Sequence, residues 1–185
     1  LSLTASVFLV GLPGSGKSTV GRQLARRLGL PFVDIDQLIE ARIGCSIRTY
    51  FEQAGEPSFR DLEAAVIEEV SQGPVSVVST GGGAVLRAEN RQCMRRRGHV
   101  IYLRSSPDEL YRRVRHDRNR PLLQVDDPMA RLRELHAQRH PLYTQTAHFT
   151  IDTGRPSVAT LVNMIVMQLE LAGLTRRPAA DASGD

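Results

Sequence analysis

The stretch GLPGSGKST, residues 11–19, fits the spacing G-x-x-x-x-G-K-[ST], a pattern that grips the phosphates of a nucleoside triphosphate. Glycines let the backbone curl until successive N–H groups face a phosphate, and the helix that follows adds the positive end of its dipole. Gly14, Ser15, Gly16, Lys17, Ser18 and Thr19 are therefore the candidate phosphate-binding residues. Lys17 is suited to reach the β- and γ-oxygens, and Ser18 to offer its hydroxyl to Mg2+. Lys17 is also the single lysine in a chain whose lysines and arginines together number 24. A compact ammonium threads a tight loop where a broad guanidinium does not, which gives a physical reason for lysine at this one place.

Further stretches carry groups suited to an acceptor. DID at 34–36 ends a strand, where ligands bind in open α/β sheets. Period-two alternation sets Asp34 and Asp36 on one side. One can support the water shell of Mg2+ and the other can accept a proton from an attacking hydroxyl. Asp36 is equally suited to cap the next helix, QLIEARI. In GEPSFRDLE, Arg60 falls in the first turn of a long helix, against the dipole, which calls for an anionic partner such as a carboxylate gripped by both arms. A solvated surface position is the alternative. TGGGAV at 80–85 follows a strand, and its glycines mark either a tight turn or close approach of a ligand to backbone. YRRVRHDRNRPLL packs five arginines between 112 and 120 with no aromatic beyond Tyr111. A nucleic-acid strip interleaves stacking rings, so a lid that closes over phosphates is the better reading. A solvated helix face is the alternative for Arg112, Arg115 and Arg118.

The elements that must position these groups alternate along the chain. Short, nearly continuous apolar runs at 5–10, 31–36, 75–80, 99–104 and 148–153 read as strands buried on both faces. Between them, Phe59, Leu62, Val66, Ile67 and Val70 recur at helical spacing, and a second helix runs from Ser157 until Gly173 stops it. Such alternation predicts an α/β fold with a central parallel sheet flanked by helices, as one domain over 1–173. The substrate region spans about 34–62 and the lid about 112–126. Residues 174–185, small, polar and proline-containing, read as a disordered tail. At 185 residues with 41% hydrophobic content, the chain buries a real core without reaching a membrane span. Cys45 and Cys93 have neither metal-ligand nor CxxC spacing, which suits a reducing cytoplasm. The net charge of +4 points as well to anionic small molecules as to nucleic acid.

Taken in order, GLPGSGKSTVGRQLA, PFVDIDQLIE, GEPSFRDLE, VVSTGGGAV, RPLL, RHPLY and IDT resemble the shikimate kinase family over residues 6–172. These are P-loop kinases of aromatic amino-acid synthesis that move the ATP γ-phosphate onto the 3-hydroxyl of shikimate. The resemblance implies strand order 2-3-1-4-5, a mobile lid, one Mg2+ with ATP, a monomer, and neither nucleic acid nor membrane as partner. Carried over by position, it makes Asp36 the carboxylate that contacts shikimate and takes the proton, and Asp34 a water-mediated support for Mg2+. Arg60 and Arg139 grip the shikimate carboxylate, with Gly82 and Gly83 lining the same pocket. Arg120 becomes the lid arginine over the phosphates, and Arg113, Arg155 and Pro156 the adenine clamp. Where the family commonly carries acidic residues after PLY, this chain has TQTAH, which puts the anchoring of the lid-side helix in question. The nearest rival, a gluconate kinase, shares the phosphate loop without the set of Arg60, the glycine triplet and Arg139. A nucleotide-dependent module that binds nucleic acid has no use for both Asp36 and Ser18.

Overall fold

A parallel sheet of strands β1 (Ser6–Val10), β2 (Phe32–Asp34), β3 (Val77–Ser79), β4 (Gly98–Arg104) and β5 (Phe149–Asp152) forms the centre of the computed structural model, in the order 2-3-1-4-5. Residues 2–115 and 125–176 are described. Helices α1 (Lys17–Leu28) and α8 (Val158–Leu171) cover one face. The other carries α2 (Ile35–Ile43), α4 (Glu56–Gln72), α5 (Ala88–Arg97), α6 (Pro107–Val114) and α7 (Pro128–Thr146). A further helix, α3 (Ile47–Ala54), packs beside α2 and α4.

The apolar strand runs follow from this layering. Val7 and Leu9 of β1 enter the core with α1 and α8, while Phe8 and Val10 enter the core on the opposite face. All four are fully buried, so each residue of the strand must be apolar whichever way it points. Burying a Val, Leu or Phe side chain contributes on the order of 1.5–3 kcal/mol, and β1 does so on both sides. That places the phosphate loop at the end of the central strand of the sheet.

Two sequence expectations change. The second strand ends at Asp34, not Asp36: Ile35 begins α2, and the Asp34 carboxylate accepts the N–H of Gln37 at 3.2 Å as its cap. Alternation along a strand therefore does not relate Asp34 to Asp36. Residues 174–176, expected in the tail over 174–185, join the fold, and 177–185 lie outside the described residues. Leu174 packs on the α1/α8 core, and Thr175–Arg176 pairs antiparallel with Ser2–Leu3, because the backbone groups of Ser2 and Leu3 find their ladder partners there.

The question raised by TQTAH has a structural answer. Arg95 of α5 donates to the carbonyls of Thr146 at 2.9 Å and Ala147 at 3.3 Å, so a cation from a neighbouring helix ties down the last turn of α7. Arg91 does the same for Val85 at 2.7 Å.

Behind β4, His99 stacks on His148 with ring centroids 4.4 Å apart, and its Nε2 is buried without a hydrogen-bond partner. Burial, with smaller contributions from His148 and Arg95, lowers the His99 pKa to about 4. His148 is lowered too, by burial and Arg95, and its Nδ1 accepts the N–H of Val100. The unfolded chain protonates near the ordinary value of 6.5 while the folded chain resists. Stability from these rings is therefore complete above about pH 6.5 and drains away as the pH falls toward 4. His99→Phe is expected to lose less melting temperature than the parent between pH 7 and 5; equal losses would refute the assignment.

Candidate active site

Gly16 caps α1 in a left-handed conformation (φ 92°), and Gly14 is also left-handed (φ 87°), so the loop from Gly11 closes tightly around the start of the helix. Lys17, only 8% exposed, donates to the carbonyls of Gly11 at 2.7 Å and Leu12 at 3.0 Å across that loop. Ser15 is buried and packs inward, so what it can offer a phosphate is backbone. Thr19 is exposed at the rim. Ser18 donates its hydroxyl to Asp34 at 2.8 Å and lies 3.4 Å from the Ser79 hydroxyl.

Gly14, Gly16, Lys17, Ser18, Thr19, Asp34 and Asp36 line one cleft of about 370 Å3. A hydroxyl and two carboxylates are hard oxygen donors, the set that suits Mg2+ held mainly by phosphate and water. No group of three or more His, Cys, Asp or Glu side chains forms a metal cage among the described residues.

Asp36 belongs to a second, larger cleft as well. This one, of about 820 Å3, is lined by Arg60 and Glu63 of α4, the glycine run 81–83, and Arg131 and Arg139 of α7. Burial pushes the Asp36 carboxyl above its ordinary value, and the neighbouring Asp34 charge adds to the rise while Lys17 and Arg60 oppose it. The alternative of Asp36 as a helix cap is answered by Asp34, which fills that place.

Arg60 finds its anionic partners on its own helix, at Glu63 (2.9 Å) and Glu56 (3.3 Å), and its guanidinium lies 5.2 Å from the Phe59 ring. The glycine run makes room for it: a Cβ on Gly83 would overlap the Arg60 guanidinium, and one on Gly82 would come within 2.7 Å of Pro13 and 3.2 Å of Arg139. Close approach of side chains, not a turn alone, explains the run.

Sequence reading passes over two residues here. Glu63 is completely buried, and its free Oε2 would lie 3.0 Å from a Cβ on Gly81, whose other neighbour is Asp36. Burial raises its pKa, the charge and hydrogen bond of Arg60 oppose the rise, and Asp36 adds to it. Its signal was the i,i+3 spacing from Arg60, which puts the two on one helix face. Tyr143, four residues after Arg139, donates its hydroxyl to the Gly82 carbonyl.

The far side of the phosphate loop is closed by α6. Arg112, Arg113 and Arg115 are all exposed, and of the three Arg113 donates to the carbonyls of Ser15 (3.3 Å) and Thr153 (2.9 Å). Arg155 and Pro156 follow Thr153 on the loop after β5. Arg120, and residues 116–124 of the lid expected over about 112–126, lie outside the described residues.

Comparison with known proteins places this geometry. The family described as shikimate kinase matches residues 13–170. A shikimate kinase of Ralstonia nicotianae is 58% identical over 178 residues, 96% of this chain and 94% of its own. The solved shikimate kinase of Acinetobacter baumannii, in complex with shikimate, superposes with a TM-score of 0.86 at 41% identity, covering 93% of this chain and 96% of that one. The enzyme from Aquifex aeolicus gives 0.80 at 33% identity over 91% and 98%. A match over most of the chain, at identities far above those at which only the fold is shared, makes this protein a member of the shikimate kinase family.

Proposed function

We propose that the protein transfers the γ-phosphate of ATP to the 3-hydroxyl of shikimate, giving shikimate 3-phosphate and ADP. The observation that carries this reading is the place of Asp36, which lines both the phosphate-loop cleft and the cleft of Arg60 and Arg139. A carboxylate shared by two clefts stands where an alcohol in one meets a phosphate in the other.

In this mechanism Arg60 and Arg139 hold the carboxylate of shikimate and turn its 3-hydroxyl toward Asp36. Asp36 accepts the hydroxyl proton as the oxygen bonds to the γ-phosphorus, and the bond to the bridging oxygen of ADP breaks in line. Lys17 and the loop N–H groups, with Arg120 from the lid, hold the charge that builds on the phosphoryl oxygens. Ser18, and Asp34 through water, would hold Mg2+, which when bound neutralises phosphate charge. Arg113, Arg155 and Pro156 hold the adenine. Closure of the lid keeps water from competing with shikimate. A cytoplasmic place fits the two free thiols, of which Cys93 is buried and raised in pKa mainly by that burial.

The test is transfer of γ-phosphate from Mg·ATP to shikimate beside gluconate and beside no acceptor. Product formed only with shikimate is expected; equal transfer to gluconate would move the reading to the rival sugar-acid kinase. Arg60→Ala is expected to raise the KM for shikimate by about two orders of magnitude, since a desolvated carboxylate loses a paired guanidinium, and to leave that for ATP within a few fold. Equal losses for both substrates would contradict the assignment.

A further inference from the structure

Glu109 of α6 joins the pieces of the nucleotide side without lining either cleft described above. Its carboxylate accepts the Thr153 hydroxyl at 3.2 Å and lies 3.7 Å from the Arg113 guanidinium, one helical turn on. It also presses against the next loop: a Cβ on Gly154 would come within 2.7 Å of Glu109 Oε1. Thr153 is itself buried, hydrogen-bonded to the equally buried Ser105, and its carbonyl receives Arg113 Nη2 at 2.9 Å. Arg113 Nη1 reaches Ser105 at 3.4 Å and the phosphate-loop carbonyls of Gly14 and Ser15 at 3.4 and 3.3 Å.

All of these bonds meet the guanidinium at its edge. Its donors lie in one plane, so partners at the rim fix that plane and leave the faces open to stack on a flat ring. The same carboxylate sets how closely the loop carrying Arg155 and Pro156 approaches α6.

We propose that Glu109, acting with Thr153, is a positioning residue for the adenine clamp: it fixes the plane of Arg113 and the spacing between α6 and residues 154–156. The proposal rests on reading Arg113, Arg155 and Pro156 as the base-binding residues. Glu109 acts through the groups read as holding the base, so its loss acts on ATP and spares ligands that have no base.

The experiment compares the full-length protein with Glu109→Ala, Glu109→Gln, Thr153→Val and Arg113→Ala. It reads the KM for ATP, the KM for shikimate and the inhibition constant of inorganic triphosphate. Glu109→Ala is expected to raise the KM for ATP about tenfold, the loss of one charge-assisted hydrogen bond and one ion pair, and to leave the other two constants within about twofold. Glu109→Gln keeps an oxygen for Thr153 and recovers part of that loss, and Thr153→Val shows a smaller rise. Unchanged KM for ATP in both Glu109 variants, beside a rise in Arg113→Ala, would overturn the proposal and leave the clamp reading intact. No rise in Arg113→Ala would overturn the clamp reading and the proposal with it. If all three constants worsen together and the melting temperature falls, Glu109 is only structural.

Discussion

Asp36→Asn is expected to lower kcat by about two to four orders of magnitude while leaving the KM for ATP close to that of the parent. Asparagine keeps the size of the side chain and its hydrogen-bonding reach, but cannot take a proton at the developing phosphate ester. The pH profile adds a second readout. Burial and the charge of Asp34 raise the Asp36 pKa, so the base form appears only above a pH higher than an ordinary aspartate requires. The parent rate should therefore fall on the acid side as the pH drops through that raised value, and the residual activity of the variant should lack this limb. Stability should move the other way. A carboxyl whose folded pKa is raised favours the fold at low pH and loses that contribution as the pH rises through it. At neutral pH the neutral amide escapes the burial penalty, so the variant is expected to melt no lower than the parent. Near-normal kcat in Asp36→Asn would remove Asp36 from the role of base.

Lys17→Met is expected to lower kcat/KM by at least about three orders of magnitude, because the one cation inside the phosphate loop is replaced by an uncharged chain of similar length. The ammonium is held by the carbonyls of Gly11 and Leu12, so the loop presents it already oriented and little reorganisation is needed when phosphate arrives. Lys17→Arg should fail nearly as badly, since a planar guanidinium does not fit the space that an ammonium fills. Thermal denaturation separates loss of charge from loss of fold: a variant that melts like the parent and does not turn over has lost the chemistry alone. Activity within tenfold of the parent would refute the phosphate-loop role.

Side-chain type and spacing alone determined a good deal of this protein. The loop could be read because phosphate binding needs glycine, lysine and a hydroxyl at fixed offsets on one continuous segment, and a continuous segment is what a sequence displays. The layered fold could be read for a similar reason: a strand covered on both faces must be apolar at every position, as Val7 to Val10 are. Contacts between distant segments were another matter. The pairing of Arg60 with Glu63 lies within one helix turn and had a local signal, but the tie from Tyr143 to Gly82 joins residues 61 positions apart. The tie from Arg113 to Gly14 spans 99. Such partners are chosen by the parallel sheet, which brings the carboxyl ends of β1, β3 and β5 to one end of it whatever their distance along the chain. Local spacing also misjudged the end of β2: it extended the strand to Asp36, whereas the cap formed by Asp34 turns the chain into α2 two residues sooner. Only the tertiary structure decided that Asp36 would face two clefts at once, because that position depends on where a helix start, a phosphate loop and a glycine run are packed against one another.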